Sequence, residues 1–421
     1  MWPILKIYMC FVLLKIYALI DNRQLIDGIF RPVSFNAIGA GGFATVFQGV
    51  NMIDDSAVAM KFSYMAKGSE REYRMYHYLN AIDNSTIEKY GISPIFYYNQ
   101  GSQPTLTVFS LFECDLWKKK FRSKVEFEEI DYLILFRNFV RQSKYVHSCG
   151  IRHDDIRPQN IMLRKGRSFL IDFNGSSKMN EPIKITTRIY ASRRYHQQLD
   201  NQNQLKSKVL PSDDWENFLY TMAKIANVQL IWFNLPKHSS SNNDWLWLVM
   251  RGQKEYTNGT IDQIRKDIKC EHLRDVMLKF AAEAFKEDGL LPRYDDFDEL
   301  ITNKIHAMGY SEPAVFSWLK GHDRDEAIKD LQENPPATAK DIKNPKAEFE
   351  AADYTEPNYE YFDRRKEEMA QNAKVNYQIF LEKENEEHHN IERIELINKD
   401  EKKKTGKSMN RECTRIFGKW N

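Results

Sequence analysis

Asp155 and Asn160 stand five residues apart in His153-Asp154-Asp155-Ile156-Arg157-Pro158-Gln159-Asn160, and Asp172 follows twelve residues beyond Asn160, in Asp172-Phe173-Asn174. A carboxylate able to accept a hydroxyl proton, with oxygen ligands for magnesium beside it, is what phosphoryl transfer asks of a protein, because that reaction runs mostly on positioning and charge. Upstream, Gly39-Ala40-Gly41-Gly42-Phe43-Ala44-Thr45-Val46 precedes Val58-Ala59-Met60-Lys61. Glycines let main-chain N–H groups approach phosphate oxygens, and a lysine on the next strand neutralises phosphate charge. Each piece alone has an ordinary explanation, as a Gly-rich hairpin turn or a loop carboxylate that caps a turn. Their order along one chain favours a joint chemical role.

Those residues need elements to hold them. From Phe35 to about Tyr98, the β-rich runs FNAIGAGGFATVFQGV and SAVAMKFSYM alternate with turns and with one helical patch, SEREYRMYHYLN. PIFYYN and LTVFSLF follow as further strands. From EEIDYLILFRNFVRQSKYVHSCG onward, apolar residues recur at three- and four-residue spacing, which is a helical pattern. The order predicts a bilobal α+β fold within residues 31–309, with a β-rich lobe over about 31–112, a helical lobe over about 113–309, and a ligand cleft between them.

A charged extension, 310–421, comes after, with a boundary at Glu333-Asn334-Pro335-Pro336. Its stretch from Tyr361 to Lys404 mixes charges of both signs with few large apolar residues, which predicts an exposed, salt-bridged helix or partial disorder and no second core. It is a place where a partner could bind.

Composition narrows the class without deciding it. With 42% apolar and 29% charged residues among 421, the chain can bury a core and is not disordered throughout. Its 61 basic and 59 acidic side chains nearly cancel, so no nucleic-acid partner is expected. The five cysteines show no CxxC spacing, which leaves zinc sites and disulfide frameworks without support. Residues 1–20, MWPILKIYMCFVLLKIYALI, read either as a signal peptide or as a hydrophobic segment docking on the domain, so secretory and cytoplasmic locations both stay open. His147 and His153 are expected to be packed, hydrogen-bonded residues and not metal ligands, and Trp245, Trp247 and Trp318 to be packing residues.

The motif order resembles the eukaryotic protein kinase family, where HRDxKxxN forms the catalytic loop and DFG binds magnesium. The resemblance implies ATP and Mg2+ as cofactors and a Ser/Thr protein substrate. It gives Asp155 the role of catalytic base, Asn160 and Asp172 those of magnesium ligands, and Lys61 that of holding the α- and β-phosphates, with Glu72 as its partner. ATP contacts are implied for Gly39, Gly41, Gly42, Phe43, Val46 and Ala59. Finer stretches resemble the casein kinase I group, including tau-tubulin-type kinases. Phe109-Ser110-Leu111-Phe112-Glu113-Cys114-Asp115-Leu116 resembles that group's hinge, with Phe109 as gatekeeper and Phe112 as a main-chain contact to adenine. The activation segment Thr187-Arg188-Ile189-Tyr190-Ala191-Ser192, the pair Asp213-Asp214 and the run Leu291-Pro292-Arg293-Tyr294 resemble it too.

Four positions depart from that pattern. Ala44 replaces a glycine of the loop and should stiffen it. Asp154 replaces the arginine of HRD, which predicts that no activation-segment phosphate is needed. Arg157 stands for the catalytic-loop lysine and keeps a positive charge toward the γ-phosphate. Asn174 replaces the DFG glycine, and asparagine is the side chain that best tolerates a left-handed turn there. Asn174-Gly175-Ser176 is also one of three glycosylation sequons, expected to be unused. Two rival readings follow: a pseudokinase that serves as a nucleotide-binding scaffold, and a small-molecule kinase. Glu72, the activation segment and Asp213-Asp214 speak against the second.

Overall fold

A computed structural model describes residues 25–41, 44–99, 104–179, 181, 187, 189–200, 210–234, 250, 252–286, 290–346, 348–350 and 353–381. The hydrophobic segment 1–20, Trp245 and Trp247 lie outside them. Strands β1 (Phe30–Ala40), β2 (Ala44–Asn51), β3 (Ala57–Ser63), β4 (Ile95–Asn99) and β5 (Thr105–Ser110) form one antiparallel sheet in the order β1-β2-β3-β5-β4. The side-chain period of two sorts β2 into buried and half-buried positions, with Thr45 and Phe47 inward and Val46 on the other face. Cross-strand partners share a face, so the pairings Gly39↔Val46, Val46↔Lys61 and Lys61↔Thr107 line up one row of residues across the sheet. That row fixes where Lys61 emerges.

Helix α1 (Ala66–Tyr78) follows β3 and turns Ser69, Glu72, Tyr73, Met75 and Tyr76 inward, three and four residues apart. Glu72 is thus presented to the sheet by the same periodicity that buries the tyrosines. The second lobe is helical: α2 (Glu129–Ser148), α3 (Arg193–Asp200), α4 (Ser212–Ile225), α5 (Thr257–Asp267), α6 (Glu271–Ala284) and α7 (Tyr294–Ala307). Reciprocal Glu128 and Asp131 bonds cap the start of α2. Almost every residue of α4 is buried, as expected of a helix enclosed on all sides. Phe218 stacks on Phe139 at 3.9 Å and Trp215 on Phe280 at 4.3 Å between ring centroids. Four short strands, β6 (Cys114–Asp115), β7 (Ile151–Arg152), β8 (Ile161–Arg164) and β9 (Arg167–Leu170), frame the cleft-side loops, and β10 (Ser177–Lys178) pairs with β7. This is the two-lobed α+β architecture that the sequence predicts.

The extension is helical, as expected, but it is docked and not merely exposed. After α8 (Gly321–Glu333), residues 361–381 form a further helix, α9. Phe362, Met369 and Ala373 are buried in the same core as the sheet, and the Phe362 ring lies 5.5 Å from that of Tyr97 on β4. Its outer face does carry the expected ion pair, Arg364 to Glu360, but its inner face is apolar and docked. Upstream of α9, Phe349 and Tyr354 cover Gly150, whose φ of +75° ends α2 and where an added Cβ would fall 2.6 Å from the Phe349 ring. Trp318 packs between Phe127 and Phe316, as expected.

Candidate functional site

Lys61 closes the cleft from above. Its Nζ lies 2.8 and 2.9 Å from the Glu72 carboxylate oxygens and 3.1 Å from Asp172 Oδ1, so one ammonium joins β3, α1 and the loop after β9. Burial acts to lower the Lys61 pKa, but the charges of Asp172 and Glu72 outweigh it and hold the group protonated. Burial also acts to raise Asp172, and there the Lys61 charge and hydrogen bond, helped by Arg157 and His153, win and keep it ionised.

A continuous stack of rings supports this arrangement from behind. Tyr76 of α1 meets Phe173 at 5.1 Å, and Phe173 meets His153 at 4.6 Å. His153 donates its main-chain N–H to Asp214 Oδ2 at 2.8 Å, and its Nε2 lies 3.0 Å from the carbonyl of Ile171. Asp214 also accepts the N–H of Asp154 at 2.8 Å and bonds His147 Nε2 at 3.0 Å, while His147 Nδ1 lies 2.6 Å from Tyr294 OH. Both histidines are therefore packed and hydrogen-bonded. The result is a chain of contacts from α1 through the loop to α4.

The loop between β7 and β8 presents Asp155. Its Oδ2 accepts Asn160 Nδ2 at 3.2 Å and sits 3.3 Å from Arg157 Nε, and its Oδ1 accepts the main-chain N–H of Thr187 at 2.6 Å. Asn160 donates a second time, to the Asp155 carbonyl at 2.9 Å, which fixes its amide and leaves its oxygen as an acceptor. Among the described residues no group of three or more His, Cys, Asp or Glu is placed to hold a metal. Magnesium in phosphate chemistry usually rests on one or two protein oxygens together with the phosphates themselves, and the Asp172 carboxylate and Asn160 oxygen fit that donor set.

On the sheet side, Gly39, Val46 and Lys61 share one row, and Ala59 pairs with Phe109. Phe109 reaches back to Tyr76, at 5.5 Å, and closes the rear of the cleft. Gly41 donates its N–H to the Ala44 carbonyl at 2.9 Å, while Gly42 and Phe43 lie outside the described residues. The Phe112 ring tilts on Phe169 at 4.9 Å, and among the described residues its main-chain N–H and C=O have no hydrogen-bond partner.

One expectation about the departures needs correction. Asn174 does not make the left-handed turn: it lies in a 3-10 turn, and the positive φ falls on Asp172 itself, at 65°. The bend after β9 is completed one step before the substituted position, so a side chain at 174 costs no backbone strain; its amide faces Gly68 of α1. Ala44 begins β2 as the ladder partner of Ser63, and its carbonyl accepts the Gly41 N–H. A third residue, Arg152, is not distinguished by the sequence at all, yet its side chain is fully buried against Asp154 at 3.1 Å. No local pattern around a two-residue strand could have signalled it.

The protein kinase domain model matches residues 33–198. Curated relatives include a mitogen-activated protein kinase hog1 of Blastobotrys adeninivorans, 28% identical over 170 residues, or 38% of this chain and 40% of that one. A HOG1 of Candida albicans is 27% identical over 172 residues, 38% of this chain and 43% of its own. The match spans about two-fifths of the length of these relatives. Over residues 33–198, which include Lys61, Glu72, Asp155, Asn160 and Asp172, the chain is similar to the protein kinase domain.

Proposed function

We propose that the chain is a protein serine/threonine kinase that moves the γ-phosphate of ATP to a Ser or Thr hydroxyl of a protein. The observation that carries this reading is the Lys61 ammonium shared by Glu72 and Asp172, because it joins the charged residues of both lobes across one cleft. In this reading Lys61 orients the phosphates, and Asp172 and Asn160 supply the oxygens for Mg2+, which neutralises phosphate charge. Asp155 aligns the acceptor hydroxyl and takes its proton, and Arg157, 3.3 Å from Asp155, offsets charge on the moving group. Gly39, Gly41, Val46, Ala59 and Phe112 surround the nucleotide, with Phe109 behind it.

Within the superfamily we propose the casein kinase I and tau-tubulin group. Its support is the run from Thr187 to Ser192 and the placing of Asp214, which holds the loop of Asp155 from α4. The test is transfer from γ-labelled ATP with magnesium to casein, followed by acid hydrolysis. Phosphoserine or phosphothreonine is expected; label confined to phosphotyrosine or to a small-molecule acceptor would overturn the reading.

A further inference from the structure

At position 154 the chain carries a carboxylate, and the cation that faces it comes from two residues earlier. Arg152, on β7, is 0% exposed. Its Nε and one terminal nitrogen lie 3.1 and 3.5 Å from the two oxygens of Asp154, which is also fully buried. The remaining donors do not stay within the loop. One terminal nitrogen donates to the Met179 carbonyl and the other to the Glu181 carbonyl, both at 2.7 Å. The planar fork of arginine sends its donors in fixed, diverging directions to acceptors on two chain segments, a spread that a single ammonium nitrogen does not reproduce.

The two segments so joined are those on which the proposed reaction depends. Asp154 precedes Asp155, its N–H is held by Asp214 at 2.8 Å, and its φ of 62° sets the direction in which the loop leaves β7. Met179 and Glu181 continue from β10, which pairs with β7 through Ser177↔Arg152 and Lys178↔Ile151. The Met179 N–H reaches back to the Gly150 carbonyl at 2.8 Å. Thr187, further along, touches Asp155 directly. An anion brought to this point would meet the Asp154 carboxylate, and the guanidinium there is already satisfied.

We propose that Arg152 is a positioning residue: it fixes residues 179 and 181, on the chain that leads from β10 toward the activation segment, against the Asp155 loop by an internal clasp, so that no phosphate on the segment is required for that order. The proposal rests on the kinase reading for its effect on turnover, but the clasp itself can be read without turnover.

The test compares the full chain with Arg152→Met/Asp154→Asn, which removes both buried charges together, and with Arg152→Lys, which keeps a cation for Asp154 but loses the fork. Asparagine is chosen at 154 because it tolerates the positive φ. Amide hydrogen exchange over residues 177–181, melting temperature, and kcat and KM for ATP are measured on each. Expected for the double variant is a melting temperature lower by no more than about 5 °C, with exchange over 177–181 faster by about tenfold and kcat lower by about tenfold at little-changed KM. Arg152→Lys should move exchange and kcat the same way, and it carries the test if the double variant does not fold. Parent-like exchange and kcat in whichever of these variants folds would overturn the proposal, leaving Arg152 as a neutraliser of Asp154 and no more. Loss of activity when the parent is treated with a phosphatase would overturn the phosphate-free part. Faster exchange in the variants, with no phosphate transfer by the parent, would sustain the clasp and sink the kinase reading instead.

Discussion

Replacing Asp214 by asparagine keeps the size and shape of the side chain and removes one acceptor oxygen. Asp214 is 1% exposed and accepts the N–H groups of His153 and Asp154, each at 2.8 Å, on different oxygens. Asparagine has one oxygen, so its NH2 group must face one of those N–H groups and leave a buried donor unpaired, at a cost of about 1–3 kcal/mol. The bond that survives, with the contact to His147, loses its charge assistance, about 1 kcal/mol more. A total of about 3 kcal/mol lowers the melting temperature of a chain this long by about 3–5 °C. The loop that carries Asp155 is released as well, and a displacement of about 1 Å there reduces phosphate transfer by about a hundredfold.

The acid limb gives an independent reading of the same residue. Burial acts to raise the Asp214 pKa, yet the hydrogen bond and charge of His147, with His153, hold it below the ordinary carboxylate value. A carboxyl depressed on folding stabilises above its unfolded pKa and loses that contribution as pH falls through the folded one, so the variant should lose less stability on acidification than the parent. Scanning calorimetry from neutral to acid pH, with transfer to casein assayed in parallel, measures both. A variant that melts within about 1 °C of the parent and transfers phosphate at full rate would refute the idea that α4 holds the loop through this carboxylate.

Other expectations are equally direct. Lys254 is 0% exposed and donates to the Ala191 carbonyl at 2.5 Å; burial pushes its pKa down from 10.5 to about 7. The unfolded chain therefore holds more protons than the folded one between these values, and stability should rise with pH across that window; urea titrations at several pH values should show the rise, and Lys254→Met should flatten it. Phe362→Ala removes a ring that is 1% exposed against Tyr97 and should cost about 3–5 kcal/mol by chemical denaturation, whereas an α9 that merely lay in solvent would give almost nothing.

The sequence disclosed the site further than it disclosed the scaffold around it. Asp155, Asn160, Asp172, Lys61 and Glu72 were legible as candidates because phosphoryl transfer needs particular side chains in a particular order, whereas it is the pairing of β2 with β3 that puts Val46, Ala59 and Lys61 on one face. The docked edge of α9 was present as Phe362, Met369 and Ala373, seven and four residues apart, but charged neighbours diluted the pattern. Burial of that edge depends on β4 and the chain just before β1 meeting it, which is a tertiary fact. The bend at Asp172, where asparagine two positions later was expected to turn, depends on backbone angles that residue types only bias. Arg152 was invisible for a similar reason: its partners at 154, 179 and 181 come together only when β10 folds onto β7.

The central claim is that Asp155 aligns a protein hydroxyl for attack on ATP held by Lys61 and Asp172. Its most direct test is the full chain against Asp155→Asn, with γ-phosphate transfer from magnesium ATP to casein and nucleotide binding measured side by side. Expected is transfer by the parent that falls by about a thousandfold or more in the variant while nucleotide binding persists. Equal transfer by both proteins, or nucleotide binding with no transfer by the parent, would contradict it.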